Sequence, residues 1–205
     1  MQDFLKNFSL EGKIAWVTGA SYGLGLAYAV AFAESGARVV FNDINQELVD
    51  KGMAEYKKLG IDAFGAVCDV TKEDQVQKFV ADVEKNVGTI DILVNNAGII
   101  KRIPMIDMTV DQWQQVIDVD LTGPFICSKA VLPAMIKKGS GKIINACSMM
   151  SEFGRETVSA YAAAKGGLKM LTRNNSSSFA VILTSRSHYD CIVTRVKMTM
   201  FVLTC

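Results

Sequence analysis

Histidine and proline are nearly missing from this 205-residue sequence, which holds one histidine, His188, and three prolines. A single imidazole excludes a histidine-built metal centre. The five cysteines, Cys68, Cys127, Cys147, Cys191 and Cys205, lie far apart with no C-x-x-C pair. An odd count without ligand spacing reads as free, mostly buried thiols in a reducing cytoplasm, with no metal bound. No apolar run reaches the roughly 18 residues of a membrane span, and Met1–Phe8 lacks the apolar stretch of a signal peptide. Charge of one sign is missing too. Twenty-two Lys+Arg face 21 Asp+Glu, a net charge of +1, so no global basic field attracts nucleic acid or an anionic membrane. What is present is a 50% hydrophobic, 21% charged chain, apolar enough to exclude general disorder and long enough for one domain. A small molecule is the expected partner.

Short β-rich runs alternate with helical patterns. The runs are Lys13–Thr18, Ala37–Asn42, Ala63–Val67, Ile90–Asn95 and Lys142–Ala146, nearly continuous apolar segments as strands covered on both faces must be. Between them, Val76, Phe79, Val80, Val83 and Val87 form a helical stripe. Thr71-Lys-Glu-Asp74 reads as its start, with Thr71 as cap and an acidic first turn. A long helix is predicted from about Val110 to Lys138, with Trp113, Val116 and Ile117 on one side. This alternation implies right-handed crossovers and an α/β fold: a doubly wound parallel sheet in a three-layer αβα sandwich.

The tail departs from that pattern. Every glycine and proline precedes residue 168, although further connections between helices and strands would normally use one or the other. Asn174-Asn-Ser-Ser-Ser178 is a short polar low-complexity stretch, and beyond it Asp190 alone faces Arg186, Arg195 and Lys197. Phe179–Leu183 and Cys191–Leu203 are apolar enough for an edge strand, yet nothing in them specifies one.

Thr18-Gly-Ala-Ser-Tyr-Gly-Leu-Gly25 lies between the first strand and a helix. A glycine turn there lets backbone N–H groups approach a pyrophosphate at the helix N-terminus, where the dipole favours anions. The second strand ends at Asp43, where a carboxylate accepts from both hydroxyls of an adenosine ribose and repels a 2′-phosphate. The expected cofactor is NAD or NADP, with Asp43 favouring NAD.

The spacing TGxxxGxG resembles that of the short-chain dehydrogenase/reductase family. Asn95-Asn-Ala-Gly98 after the fourth strand, Cys68-Asp69-Val70 after the third, Ser148 after the fifth and Tyr161-Ala-Ala-Ala-Lys165 match further family motifs in order. The resemblance covers residues 9 to about 173. It implies a Rossmann-like dinucleotide-binding core with the family's last strands missing. The cofactor residues it implies are Gly19, Ser21, Tyr22, Gly23, Leu24, Gly25, Asp43, Asp69, Val70, Asn95, Ala97, Gly98, Tyr161 and Lys165.

Tyr161 and Lys165 share one helix face by spacing. A phenol is too weakly acidic to serve as a base at neutral pH unless a nearby cation favours the phenolate. The resemblance implies that Tyr161 exchanges the substrate proton, that Lys165 holds the nicotinamide ribose and tunes Tyr161, and that Ser148 orients the reacting oxygen. Asp120 stands where the family usually has an Asn that links a water to the lysine; it keeps the acceptor and loses the donor.

Ile144–Tyr161 and Asn42–Leu48 resemble a bacterial branch of the family that interconverts D-gluconate and 5-keto-D-gluconate. A sugar-acid substrate is therefore expected. Arg102 follows the fourth strand as a bidentate partner for its carboxylate, beside Lys101, and Glu152 and Arg155 are candidates for hydroxyl contacts. A β-ketoacyl thioester or another ketone is the alternative substrate, and an inactive cofactor-binding protein the alternative class. The family forms homo-oligomers. The resemblance stops near Arg173, dividing the chain into a core, 1–173, and an atypical tail, 174–205. A reading-frame change near residue 174 is the simplest origin of that tail, a truncated relative with a new ending the next. The expected consequence is a bare edge on the fifth strand and an open nicotinamide half-site.

Overall fold

A computed structural model describes residues 9–179 and 197–204. Six strands form one sheet: β1 (Ile14–Thr18), β2 (Arg38–Asp43), β3 (Ala63–Val67), β4 (Ile92–Asn95), β5 (Ser140–Cys147) and β6 (Lys197–Thr204), in the order β3-β2-β1-β4-β5-β6. Every neighbouring pair is parallel. The order reverses between β1 and β4, which opens a crevice at the carboxyl ends of these strands.

The helices are α1 (Gly23–Glu34), α2 (Gln46–Lys58), α3 (Glu73–Asn86), α4 (Val110–Ile117), α5 (Gly123–Lys138) and α6 (Ser159–Phe179). One core packs Trp16, Val40, Leu93 and Ile143 of the sheet with Val76, Phe79 and Val83 of α3 and Val131 and Met135 of α5. The other packs Val17, Val39, Phe41 and Val94 with Ala29 of α1 and Val49 and Tyr56 of α2. Successive strand residues thus feed opposite layers, and the sheet is covered on both faces. Cys68, Cys127 and Cys147 are free and buried. Burial pushes the Cys68 thiol up to about 12 and raises that of Cys127 as well.

Three local expectations change. Thr71 does not cap α3: Lys72 stands at the cap without a side-chain bond, while the Thr71 hydroxyl donates to Asp69 Oδ1 at 2.8 Å. The carboxylate two residues back competes successfully for that hydroxyl. The long helix is present from Val110 to Lys138 as one run of helical backbone, but it carries an unexpected π turn, Asp118–Thr122, between α4 and α5. Its apolar length, Val110–Lys138, is the one described stretch long and apolar enough to cross a membrane. Much of it is core, with Val116, Ile126, Cys127, Val131 and Met135 buried.

The third change concerns the tail. β6 pairs with β5 in register from Ser140↔Lys197 to Cys147↔Thr204, so the expected bare edge on β5 is covered. Pairing uses backbone groups, which any β-favouring run such as Met198-Thr-Met-Phe-Val-Leu203 supplies without the family's side-chain pattern. The other apolar run, past Phe179, and residues Cys191 and Cys205 lie outside the described residues.

Candidate active site

The glycine turn is stitched to the end of β4. Thr18 Oγ1 donates to the Val94 carbonyl oxygen at 3.4 Å and accepts from the amides of Asn96 and Ala97 at 3.0 Å each. Asn96 Nδ2 donates to the carbonyl oxygens of Thr18 at 2.9 Å and Gly19 at 3.0 Å. Gly19 is left-handed, with φ of 62°, and an added Cβ would stand 3.1 Å from Ala97 Cα. At Gly25 an added Cβ would stand 2.6 Å from Asn96 Nδ2, so only glycine lets α1 start against this turn.

The turn floors a cavity of about 370 Å³ walled by Tyr22, Leu24, Asp43, Asp69, Val70, Ala97 and Gly98. Asp43 ends β2 there. Its Oδ1 accepts from the Ile44 amide at 2.9 Å, while its buried Oδ2 has no hydrogen-bond partner among the described residues. Asp69 Oδ1 is used by the Thr71 amide and hydroxyl, at 2.9 and 2.8 Å. A glycine-floored anion turn and an orphaned carboxylate oxygen one strand away fit an adenine dinucleotide, whose ribose hydroxyls are donors in need of that acceptor.

A second cavity, about 210 Å³, shares Leu24, Asn96, Gly98 and Ile99 with the first and brings together Asp120, Cys147, Ser148, Tyr161 and Lys165. The ammonium of Lys165, 3% exposed, donates to the Ala146 carbonyl oxygen at 2.9 Å. It lies 3.2 Å from Asp120 Oδ1 and 5.6 Å from the centroid of the Tyr161 ring. Asp120, with no exposed surface, comes from the π turn, and its Oδ2 accepts from the Ile99 amide at 2.9 Å. Burial raises the Asp120 carboxyl above its ordinary value; the charge of Lys165 and the Ile99 amide oppose that rise. Such single-turn π segments often occur where a helix must aim one side chain at a site.

Ser148 opens a short 3₁₀ turn, Met149–Ser151, and its Oγ accepts from the Met150 amide at 3.2 Å. Ser151 Oγ accepts from the Ser148 amide at 3.2 Å and donates to the Lys165 carbonyl oxygen at 3.0 Å, so β5's end is tied to α6. Burial raises the Cys147 thiol, with Lys165 and Ser151 opposing; a neutral thiol stands beside the serine.

Not every sequence-predicted residue reaches these cavities. Asn95 faces the other way, its Nδ2 donating to Asn145 Oδ1 at 2.7 Å and Ser128 Oγ at 3.1 Å; its neighbour Asn96 takes the cavity wall, because successive side chains at a strand end alternate. Ser21 is fully buried and outside both cavity walls. Arg102, Glu152 and Arg155 are exposed and line neither cavity, and Glu152 is ion-paired with Lys169. Asn96, Thr18 and Ile99 were not singled out by sequence. Only the second Asn of the NNAG stretch carried a signal; the roles of Thr18 and of the Ile99 amide depend on partners 76 and 21 residues away.

A parallel sheet with a glycine-floored crevice next to a Ser/Tyr/Lys cavity defines a nucleotide-dependent dehydrogenase core. Residues 13–181 match the family model described as short chain dehydrogenase, and the chain belongs to that family. It is 52% identical over 174 residues, 84% of this chain and 66% of the relative, to the 2-dehydro-3-deoxy-D-gluconate 5-dehydrogenase of Formosa agariphila. Among solved structures, the 2-keto-3-deoxy-D-gluconate dehydrogenase of Streptococcus agalactiae is 65% identical with a TM-score of 0.74, over 86% of this chain and 67% of that one. The gluconate 5-dehydrogenase of Burkholderia cenocepacia J2315 in complex with NADP and tartrate is 42% identical with a TM-score of 0.81, over 85% and 69%. The chain spans about two thirds of the length of the curated relatives it matches.

Proposed function

We propose that this chain is an NAD(P)-dependent oxidoreductase of the cytoplasm acting on the C5 oxygen of a six-carbon sugar acid, interconverting D-gluconate and 5-keto-D-gluconate. The observation that carries this reading is the convergence of Ser148, Tyr161, Lys165 and Asp120 on one cavity that shares a wall with the dinucleotide crevice. The glycine turn from Gly19 to Gly25 would hold the pyrophosphate, Asp43 Oδ2 the adenosine ribose, and Asp69 and Val70 the adenine. The Asp43 carboxylate repels a 2′-phosphate, which favours NAD. Bound there, the nicotinamide supplies or accepts the hydride at its C4.

In the reductive direction, the Tyr161 hydroxyl gives its proton to the C5 carbonyl oxygen as that oxygen becomes an alcohol, leaving a phenolate. The Lys165 ammonium stabilises the phenolate electrostatically. Ser148 Oγ donates to the same substrate oxygen and fixes its position. Asp120 holds Lys165 in place from the opposite side, so the ammonium is neither free to swing nor left as an uncompensated buried charge. Arg102 pairs with the substrate carboxylate, and Glu152 and Arg155 contact hydroxyls. All three are exposed and lie on the segments that follow β4 and β5, outside the cavity walls. Residues 1–173 form the catalytic core, and 174–205, of different composition, begin within α6 and supply β6 at the sheet edge.

A second reading is favoured by the 65% identity to the S. agalactiae structure: 2-keto-3-deoxy-D-gluconate as the sugar acid, oxidised at C5 as the name of the F. agariphila relative has it. Absorbance at 340 nm tests both, with NADH or NADPH against 5-keto-D-gluconate and NAD against 2-keto-3-deoxy-D-gluconate. An acetoacetyl thioester serves as the outgroup. Turnover of the thioester alone would overturn the sugar-acid reading. Thermal stabilisation by dinucleotide with no turnover of any substrate would make the chain a binder.

A further inference from the structure

Helix α2 touches the glycine turn at points the chemistry above does not use. Tyr56 has no exposed surface, and its hydroxyl donates to the Ala20 carbonyl oxygen at 2.8 Å across a separation of 36 residues. Its ring packs against Phe41 of β2 with centroids 4.8 Å apart, which fixes the direction of the hydroxyl. Burial raises the phenol above its ordinary value, so the group remains a donor. One turn earlier, a Cβ added to Gly52 would stand 2.9 Å from Ser21 Cα and 2.8 Å from a Phe41 ring carbon. The bare backbone of α2 therefore lies against the turn. Beside it, Lys51 Nζ sits 5.4 Å from the centroid of the Tyr22 ring.

Three successive residues of the turn are thus held by one helix: Ala20 by its carbonyl, Ser21 by its α-carbon and Tyr22 by its ring. The peptide unit is planar and trans, so a carbonyl at Ala20 directed to Tyr56 fixes the plane of the Ala20–Ser21 peptide, and with it the entry of the backbone into Tyr22–Gly25, which line the crevice. A turn that binds an anion through N–H groups binds best when those groups are aimed before the anion arrives.

We propose that α2 splints the glycine turn, and that Tyr56 is a positioning residue that sets affinity for the dinucleotide's phosphates through the Ala20 peptide. The proposal rests on the dinucleotide reading of the crevice. Tyr56→Phe removes only the hydroxyl, and calorimetry with NADH and with ADP-ribose reads the result. Both dissociation constants are expected to rise about 3–10-fold, the loss of one buried hydrogen bond, with kcat at saturating NADH falling by less. Phe41→Leu is the control: it loosens the same packing but keeps the hydroxyl, so it should lower Tm as much or more while weakening ADP-ribose less. Unchanged binding in Tyr56→Phe overturns the proposal, as does affinity that simply follows Tm across the two variants. If Tyr56→Phe does not fold, Gly52→Ala, which displaces α2 from Ser21, replaces it with the same expected rise. Wild-type protein that binds no ADP-ribose overturns the dinucleotide reading as well. Wild-type binding matched by the variant overturns the splint alone.

Discussion

Lys165 and Asp120 form an ion pair with 3.2 Å between Nζ and Oδ1, and each is almost wholly removed from solvent, at 3% and 0% exposure. The pair joins α6 to the π turn between α4 and α5, so it is at once a strut of the fold and part of the candidate site. A buried charge left without its partner is far costlier than an intact pair contributes. Asp120→Ala is accordingly expected to destabilise the protein by about 3–5 kcal/mol, measured by urea unfolding. Asp120→Asn, which keeps an acceptor, should lose much less.

The same carboxylate gives a pH dependence with a definite sign. Its folded value lies above the ordinary 3.8 because burial outweighs the pull of Lys165. The folded state therefore holds that proton more tightly than the unfolded chain. Its stabilising contribution is complete below the unfolded value and is lost as pH rises through the folded one. The stability of wild type relative to Asp120→Asn should fall as pH increases from 3.8 upward and then level off. A series of melts on both proteins checks this; a difference that grows with pH would contradict it.

Tyr161→Phe leaves the ring in its cluster with Ala160, Ala164 and Val116 and takes away the proton donor. kcat/KM for the sugar acid should drop by about 10²–10⁴-fold, with the NADH dissociation constant nearly unchanged. Steady-state kinetics beside calorimetry separates the two.

Arg102→Ala should raise the KM for the sugar acid by about 10–100-fold, the range of one charged hydrogen bond, and leave the cofactor KM in place. Equal effects on both would reject its role at the substrate carboxylate.

A buried polar chain runs through the sheet: Asn95 Nδ2 to Asn145 Oδ1 at 2.7 Å, then Asn145 Nδ2 to Thr172 Oγ1 at 2.8 Å. Thr172 lies seven residues beyond Lys165 on α6, two turns along the same face. Thr172→Val would orphan the Asn145 donor and should cost about 1–3 kcal/mol, while Thr172→Ser keeps the acceptor and most of the stability. Denaturant midpoints of the two variants decide.

Much of this was legible in the sequence because its signals are local. The apolar runs of β1 to β5, the α3 stripe, the glycine turn and the four-residue spacing of Tyr161 and Lys165 each announce themselves within a few residues. What escaped depends on partners far along the chain. Asn96 rather than Asn95 faces the crevice because the strand end fixes the alternation, and only the fold shows where β4 ends. The π turn at Asp118–Thr122 leaves no mark in a helical apolar pattern, since it adds one residue to a turn without changing composition. Tyr56 reads as one more apolar residue of α2 until its hydroxyl meets Ala20. β6 has no side-chain pattern of its own that demands a place at the β5 edge.

That last strand separates ancestry from mechanics. Its residues, Lys197–Thr204, lie beyond the 13–181 stretch that matches the family, yet they run along the full length of the strand that delivers Ser148, ending opposite Cys147. On that flank, the backbone amides leading to the candidate serine are sheltered by a segment outside the family match. Their exchange with solvent deuterium would therefore report the docking of β6 rather than the integrity of the core that matches the family, and loss of β6 would be felt first beside Ser148.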